Sequence, residues 1–214
     1  MSDPRERLAQ ARLYLVCDAR EDEFLAGALR GGVDIVQLRM KHASDADVLA
    51  AAERVRRHCT EHDALFIVND RPDLALQAGA DGVHVGQDDT PVAQARALVG
   101  PERIVGLSTH SAEQVDAAGT EEVDYIGVGP VHDTPTKPGR PAVGLELVGY
   151  AAAHARMPFF AIGGIDPGNV EAVAGAGAER IVVVRALTLA ADPERMARRL
   201  LAGLTAQEAP VGSA

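Results

Sequence analysis

A (β/α)8 barrel is the fold that the sequence predicts, and three observations point to it. Eight short β-branched runs alternate with eight helical patterns along 214 residues, near the lower end of the usual barrel length. The runs are almost continuously apolar, as strands of a parallel sheet are when helices cover it. Polar and glycine residues collect just after the strand ends, where barrels of this kind carry their chemistry. An open doubly wound sheet is the competing fold. It would place a glycine-rich turn after the first strand, where this chain has CDAREDEF.

Residues 1–12 form a polar or amphipathic lead-in, and the barrel is expected over 13–204. Leu13–Cys17 is the first strand, and Glu21–Arg30 is a helix ended by Gly31-Gly32. Val33–Arg39 is the second strand. Ser44–His62 is a helix whose Ser44 caps it, with Asp47 in the capping-box position. Ala64–Asp70 and Gly82–Gly86 are strands three and four, separated by a short helix from Pro72. Arg103–Ser108 and Asp124–Gly129 are strands five and six, each preceded by a helix, near 91–99 and 111–118. After the loop comes a helix over Leu145–Arg156, then strand seven, Pro158–Ile162. Asp166-Pro167 gives a cap and first-turn proline for a helix to about Ala176. Arg180–Arg185 is strand eight, and Asp192-Pro193 opens a last helix. Residues 205–214 read as a disordered tail.

Composition narrows the function. At 47% hydrophobic the chain can bury a large core, expected to be aliphatic because aromatics are 3% and Trp is absent. The charge, 21 − 31 = −10, argues against nucleic acid or an anionic membrane as partner, but permits a local cationic pocket. No apolar run approaches the ~18–20 residues of a membrane span. The charged start MSDPRERLAQ does not resemble a signal segment, and Cys17 and Cys59 read as free buried thiols, so a cytoplasmic location is expected.

The strand ends carry two kinds of anion site. Arg39 and Lys41 lie two apart after the second strand and suit a diphosphate; salt bridges to neighbouring acids are the plain alternative. Asp70 and Asp89 follow adjacent strands, and two close carboxylates need a cation or a shared proton. With no Cys/His cluster nearby, the hard-oxygen set points to Mg2+, while helix caps before Pro72 and Pro91 are the alternative. Gly163-Gly164, with the end of strand eight, matches a backbone phosphate site or a plain tight turn. The loop 131–143 (VHDTPTKPGRPAV) is longer than ordinary connectors and offers hydroxyls and cations; alone it could be a solvated link. His84 reads as a barrel-interior residue, His110 and His132 as acid–base candidates at the mouth, and Ser108 as a hydrogen-bond donor lacking a nucleophile's partners.

QLRMK, FIVNDRPDLALQAGADGVHVGQDD, VGLSTHS, YIGVGPVHDTPTKP and AIGGI, in this order and spacing, strongly resemble the thiamine-phosphate synthase family over about Leu13 to Leu204. The resemblance implies joining an aminopyrimidine diphosphate to a thiazole phosphate, with release of pyrophosphate and assistance from Mg2+. It implies that Gln37, Leu38, Arg39, Met40, Lys41 and Asn69 bind the pyrimidine diphosphate, and that Asp70 and Asp89 hold the metal. Ser108 and Lys137 would contact the pyrimidine substrate. Thr134, Pro135, Thr136, Gly164, Val184 and Arg185 would surround the thiazole phosphate. Arg39, Lys41 and Lys137 would carry catalysis by stabilising the departing pyrophosphate, and the loop would act as a lid. Arg185 stands where the family often has Ser. A thiazole tautomerase of the same superfamily and a non-catalytic phosphate-ligand sensor are the alternatives. Assembly into homo-oligomers stays open.

Overall fold

In the computed structural model, which describes residues 3–134 and 141–205, the apolar runs close on themselves. The strands are β1 (Leu13–Cys17), β2 (Ile35–Leu38), β3 (Leu65–Asn69), β4 (Gly82–Val85), β5 (Ile104–Thr109), β6 (Tyr125–Val128), β7 (Phe159–Ile162) and β8 (Ile181–Val183). Each pairs in parallel with its sequence neighbours, and β8 returns to β1 through Leu13 opposite Ile181, giving the closed (β/α)8 barrel. All C-terminal strand ends therefore meet at one mouth.

The helices are α1 (Pro4–Gln10), α2 (Asp22–Arg30), α3 (Asp45–Glu61), α4 (Pro72–Gln77), α5 (Val92–Val99), α6 (Ala112–Ala118), α7 (Gly144–His154), α8 (Val170–Gly175), α9 (Arg185–Thr188) and α10 (Pro193–Thr205). Ser44 caps α3 as its sequence predicts, its hydroxyl oxygen accepting the Asp47 N–H. Three elements depart from expectation. The lead-in forms α1, which brings Leu8 into the hydrophobic cluster inside the barrel. The Asp166-Pro167 signal does not open α8. Asp166 Oδ1 instead accepts the Gly168 N–H at 2.7 Å and Asn169 Oδ1 the Asp166 N–H at 2.9 Å, closing a turn that delays the helix to Val170. The end of the predicted eighth strand coils into α9 at Arg185. The predicted tail beyond Thr205 lies outside the described residues.

Side chains alternate between two environments, as the period of a strand requires. Leu13, Leu15, Val36, Leu38, Phe66, Val68, Val83 and Val105 belong to the larger core with the helices. Tyr14, Ile35, Ile67, Ile104, Tyr125, Phe160 and Val182 fill the barrel. The outer layer is mostly aliphatic, as composition predicts, but the centre is aromatic. Phe160 meets Tyr14 and Tyr125 edge-to-face, each with ring centroids 5.5 Å apart. Gly106 makes room for this: a Cβ there would lie 2.2 Å from Tyr125 Cζ.

At the opposite end of the barrel from the mouth, the aspartates preceding β2, β4 and β6 clamp the strand before. Asp34 accepts the Arg12 and Leu13 N–H groups at 2.8 and 2.9 Å. Asp81 accepts the Phe66 N–H and pairs with Arg7 of α1, both at 2.8 Å. Asp124 accepts the Val105 N–H at 2.8 Å and pairs with Arg96 at 2.6 Å and Arg5 at 2.7 Å. The sequence shows these only as isolated charges. Their pairing with backbone amides far along the chain depends on barrel closure.

Candidate active site

Two adjoining cavities open at the mouth and share Ser108, Ile162, Val182 and Val184. The smaller, about 70 Å³, is lined by Gln37, Arg39, Lys41, Asn69, Asp70 and Asp89. The larger, about 400 Å³, is lined by His110, Thr134, Gly163, Gly164 and Arg185 among others. The barrel register explains the first set. Gln37 stands opposite Ile67, and Asn69 opposite His84, so these positions face inward together.

Asp70 combines a strained backbone with a perturbed carboxyl in the smaller cavity. Its backbone is left-handed, φ 61°, which a non-glycine residue adopts at some cost, though Asp tolerates it better than most. The turn aims its carboxyl at Lys41, with Nζ 3.0 Å from Oδ2, and within hydrogen-bonding reach of Asp89. Burial pushes the Asp70 carboxyl above its ordinary value; Lys41 opposes this and Asp89 adds to it. Neither aspartate serves as a helix cap. Arg71 and Pro91 occupy the cap positions of α4 and α5, and Asp89 Oδ2 accepts the Gly86 N–H at 2.8 Å.

The donors suit a hard divalent cation: two convergent carboxylates, one half-buried and held on a strained turn. No cluster of three or more His, Cys, Asp or Glu able to hold a metal occurs among the described residues, so water and substrate oxygens would supply the other ligands. Lys41 thus forms the salt bridge weighed as its plain role, while Arg39 makes no ion pair among the described residues and lines the same cavity.

In the larger cavity Gly163 and Gly164 have φ 109° and 63°. A Cβ on Gly164 would lie 2.7 Å from His132 Cβ, and one on Gly163 2.5 Å from Pro130 Cα. Only glycine fits either position, so the close turn is built on purpose. The four-residue α9 begins at Arg185 on the wall of this cavity; its Leu187 and Thr188 N–H groups donate to the Val184 carbonyl. Arg185 is exposed and lines this cavity, as does Val184.

Other sequence assignments fall differently. Leu38 is fully buried in the helix-facing core and Met40 packs, partly buried, against it, and neither is among the residues lining these two cavities. Pro135, Thr136 and Lys137 lie outside the described residues. Ser108 does have a histidine partner, His84 Nε2 at 2.9 Å, 24 residues away in sequence and brought near by strand pairing. The other nitrogen of His84 meets Tyr125 Oη at 3.0 Å, not a carboxylate, so the pair is not a nucleophilic triad. His110 bonds the Gly129 carbonyl through Nδ1.

The family model for thiamine monophosphate synthase matches residues 13–187. The chain belongs to that family. Among relatives named thiamine-phosphate synthase, it is 53% identical over 212 residues to one from Thermobifida fusca, covering 96% of this chain and 97% of the relative. It is 52% identical over 209 residues to one from Saccharopolyspora erythraea, covering 92% and 94%. A solved thiamine phosphate pyrophosphorylase from Pyrococcus furiosus superposes with a TM-score of 0.84 at 32% identity, covering 94% of this chain and 96% of that one. The protein is thus a transferase of the thiamine-phosphate synthase family, built as a (β/α)8 barrel, and the family works on two small molecules. No helix among the described residues is long and apolar enough to cross a membrane.

Proposed function

We propose that the protein joins 4-amino-5-hydroxymethyl-2-methylpyrimidine diphosphate to 4-methyl-5-(2-phosphoethyl)thiazole, giving thiamine monophosphate and pyrophosphate, or to its 2-carboxy form with CO2 released as well. The observation that carries this is the shared wall of the two cavities. A cation-and-carboxylate pocket and a glycine-turn pocket meet at Ser108, Ile162, Val182 and Val184, so two anionic substrates can react across one boundary.

Arg39 and Lys41 would bind the diphosphate, with Asn69 beside them and Lys137 assigned there by sequence. Gly164, the start of α9, Thr134 and Arg185 would hold the thiazole phosphate, with Thr136 joining them by sequence. Held through backbone N–H groups, the phosphate would tolerate Arg185 in place of Ser, and the guanidinium would add a contact. Asp70 and Asp89 would hold Mg2+, which when bound would neutralise charge on the leaving pyrophosphate.

The reaction is dissociative in this reading. The C–O bond to the diphosphate breaks with both electrons staying on oxygen, and the thiazole nitrogen then attacks the methylene cation to form the C–N bond. The chain's own cations stabilise the developing negative charge, in positions fixed before the reaction begins. No protein nucleophile is needed, and the Nδ1 of His84 meets the Tyr125 hydroxyl. The test is pyrophosphate release on mixing both substrates with Mg2+. Release that requires both substrates supports the reading; isomerisation of a thiazole alone, or binding without turnover, overturns it.

A further inference from the structure

A hydrogen-bonded chain of five side chains crosses the barrel interior along the wall of the smaller cavity, which all five line. Gln37 Nε2 donates to Tyr14 Oη at 2.6 Å, and Tyr14 Oη meets Tyr125 Oη at 2.8 Å. Tyr125 Oη meets His84 Nδ1 at 3.0 Å, and His84 Nε2 meets Ser108 Oγ at 2.9 Å. Both tyrosines are fully buried, and burial pushes both phenols up, so each keeps its proton. Every proton in such a chain must find an acceptor, because a buried orphan is costly.

That requirement fixes the order from end to end. With Gln37 donating, Tyr14 can place its own proton only on Tyr125. Tyr125 must then donate to His84 Nδ1, and a neutral His84 carries its proton on Nε2 and donates to Ser108. A doubly protonated His84 would leave the Tyr125 proton without an acceptor. The two ends of the chain are therefore set in opposite senses. Gln37 keeps its amide oxygen as an acceptor, and Ser108 keeps its hydroxyl hydrogen as a donor, on residues that both line the cavity.

We propose that Tyr14, Tyr125 and His84 are positioning residues that fix this polarity, so the pocket selects a ring bearing an exocyclic amine donor next to a ring-nitrogen acceptor. The inference rests on the proposed pyrimidine half of the site. An aminopyrimidine offers that donor–acceptor pair, whereas its 4-oxo analogue, which bears a carbonyl acceptor beside a ring N–H, inverts it and meets like against like. Selection by unmatched hydrogen bonds is the strong form of discrimination, because a mismatch leaves buried polar groups unpaired. Tyr150, by contrast, is only partly buried and bonds Asp116 at the surface.

The experiment uses the full-length protein labelled with 15N-histidine and no substrate, read by long-range nitrogen–proton correlation at neutral pH. The expected signal is a neutral His84 protonated on Nε2, with that preference lost in Tyr125→Phe. A His84 protonated on Nδ1, or an imidazolium, overturns the proposal. Kinetics supply the second arm. Tyr125→Phe and Tyr14→Phe should raise KM for the aminopyrimidine diphosphate about tenfold, the scale of one lost hydrogen bond, with KM for the thiazole phosphate changed less than about twofold. Equal rises in both constants, or thermal melting that accounts for the loss, overturn the positioning role. If the wild type shows the Nε2 form yet releases no pyrophosphate, the functional reading fails while the proton order stands supported.

Discussion

The Lys41 ammonium lies 3.0 Å from Asp70 Oδ2, on the face of a carboxyl that also reaches Asp89. Lys41 thus offsets the charge of Asp70 in the protein alone. A divalent ion would take over that task and release Lys41 toward a diphosphate.

Asp89→Asn should lower the rate of pyrophosphate release by about 10²–10³-fold, the scale of losing one preorganised electrostatic group. It should also move the Mg2+ dependence to higher concentration. Metal titration of initial rates checks this. A chelator should reduce the wild type to the same low level, and an unchanged Mg2+ dependence would remove Asp89 from the metal site.

Asp70→Asn should stabilise the protein without metal at neutral pH. The folded state holds the Asp70 proton more tightly than the unfolded chain. The resulting stability is full below the ordinary carboxylate range and is lost as pH rises through the raised value. Asn removes that loss and tolerates the left-handed backbone. The exposed side of the Lys41 pair is worth little. A gain of about 1 kcal/mol, or ~2–4 °C in Tm for a chain this size, is expected. The gain should vanish in acid, and the variant should lose the wild type's stabilisation by Mg2+. Asp22, Asp45 and Asp73, held low chiefly by hydrogen bonds to His58 and Arg71, act the other way but equally in both proteins.

Gly164→Ala should raise KM for the thiazole phosphate more than KM for the pyrimidine diphosphate. The added methyl meets His132 Cβ and the Asp133 carbonyl in a backbone region closed to alanine. About 1–3 kcal/mol of strain is expected, read as a lower Tm alongside the selective KM change.

Asp124→Ala should cost about 3–5 kcal/mol, because it removes the carboxylate that pairs with Arg96 and Arg5 and leaves the Val105 N–H without its acceptor in a part-buried site. Turnover per folded molecule should stay near wild type, since Asp124 lies at the far end of the barrel. Chemical denaturation and active-site titration together separate the two.

Much of the barrel was legible because each strand is a β-branched run bounded by glycine, proline or aspartate, and β1 runs over the predicted residues, Leu13–Cys17. The mouth was legible too, because barrel topology alone brings Arg39, Asp70, Asp89 and Gly164 to one end. What escaped was whatever depends on closure in three dimensions. Ser108 and His84 are 24 residues apart, and nothing local marks them as partners. Gln37 was visible as a strand-end residue, but not as one end of a chain running through Tyr14 and Tyr125. The turn at Asp166 escaped for the opposite reason. A cap-and-proline signal satisfied two rules at once, and side-chain hydrogen bonds from Asp166 and Asn169 chose the other.

The clamping aspartates make the barrel count in twos. Asp34 ties β2 to β1, Asp81 ties β4 to β3, and Asp124 ties β6 to β5. The seventh and eighth strands begin with Phe159 and Ile181 after Pro158 and Arg180, and main-chain bonds such as Ala161 N–H to the Arg180 carbonyl join them instead. Three quarters of the cylinder are therefore stapled in couples. The remaining couple, which bears the glycine turn and α9, is closed by main-chain bonds without such a clamp.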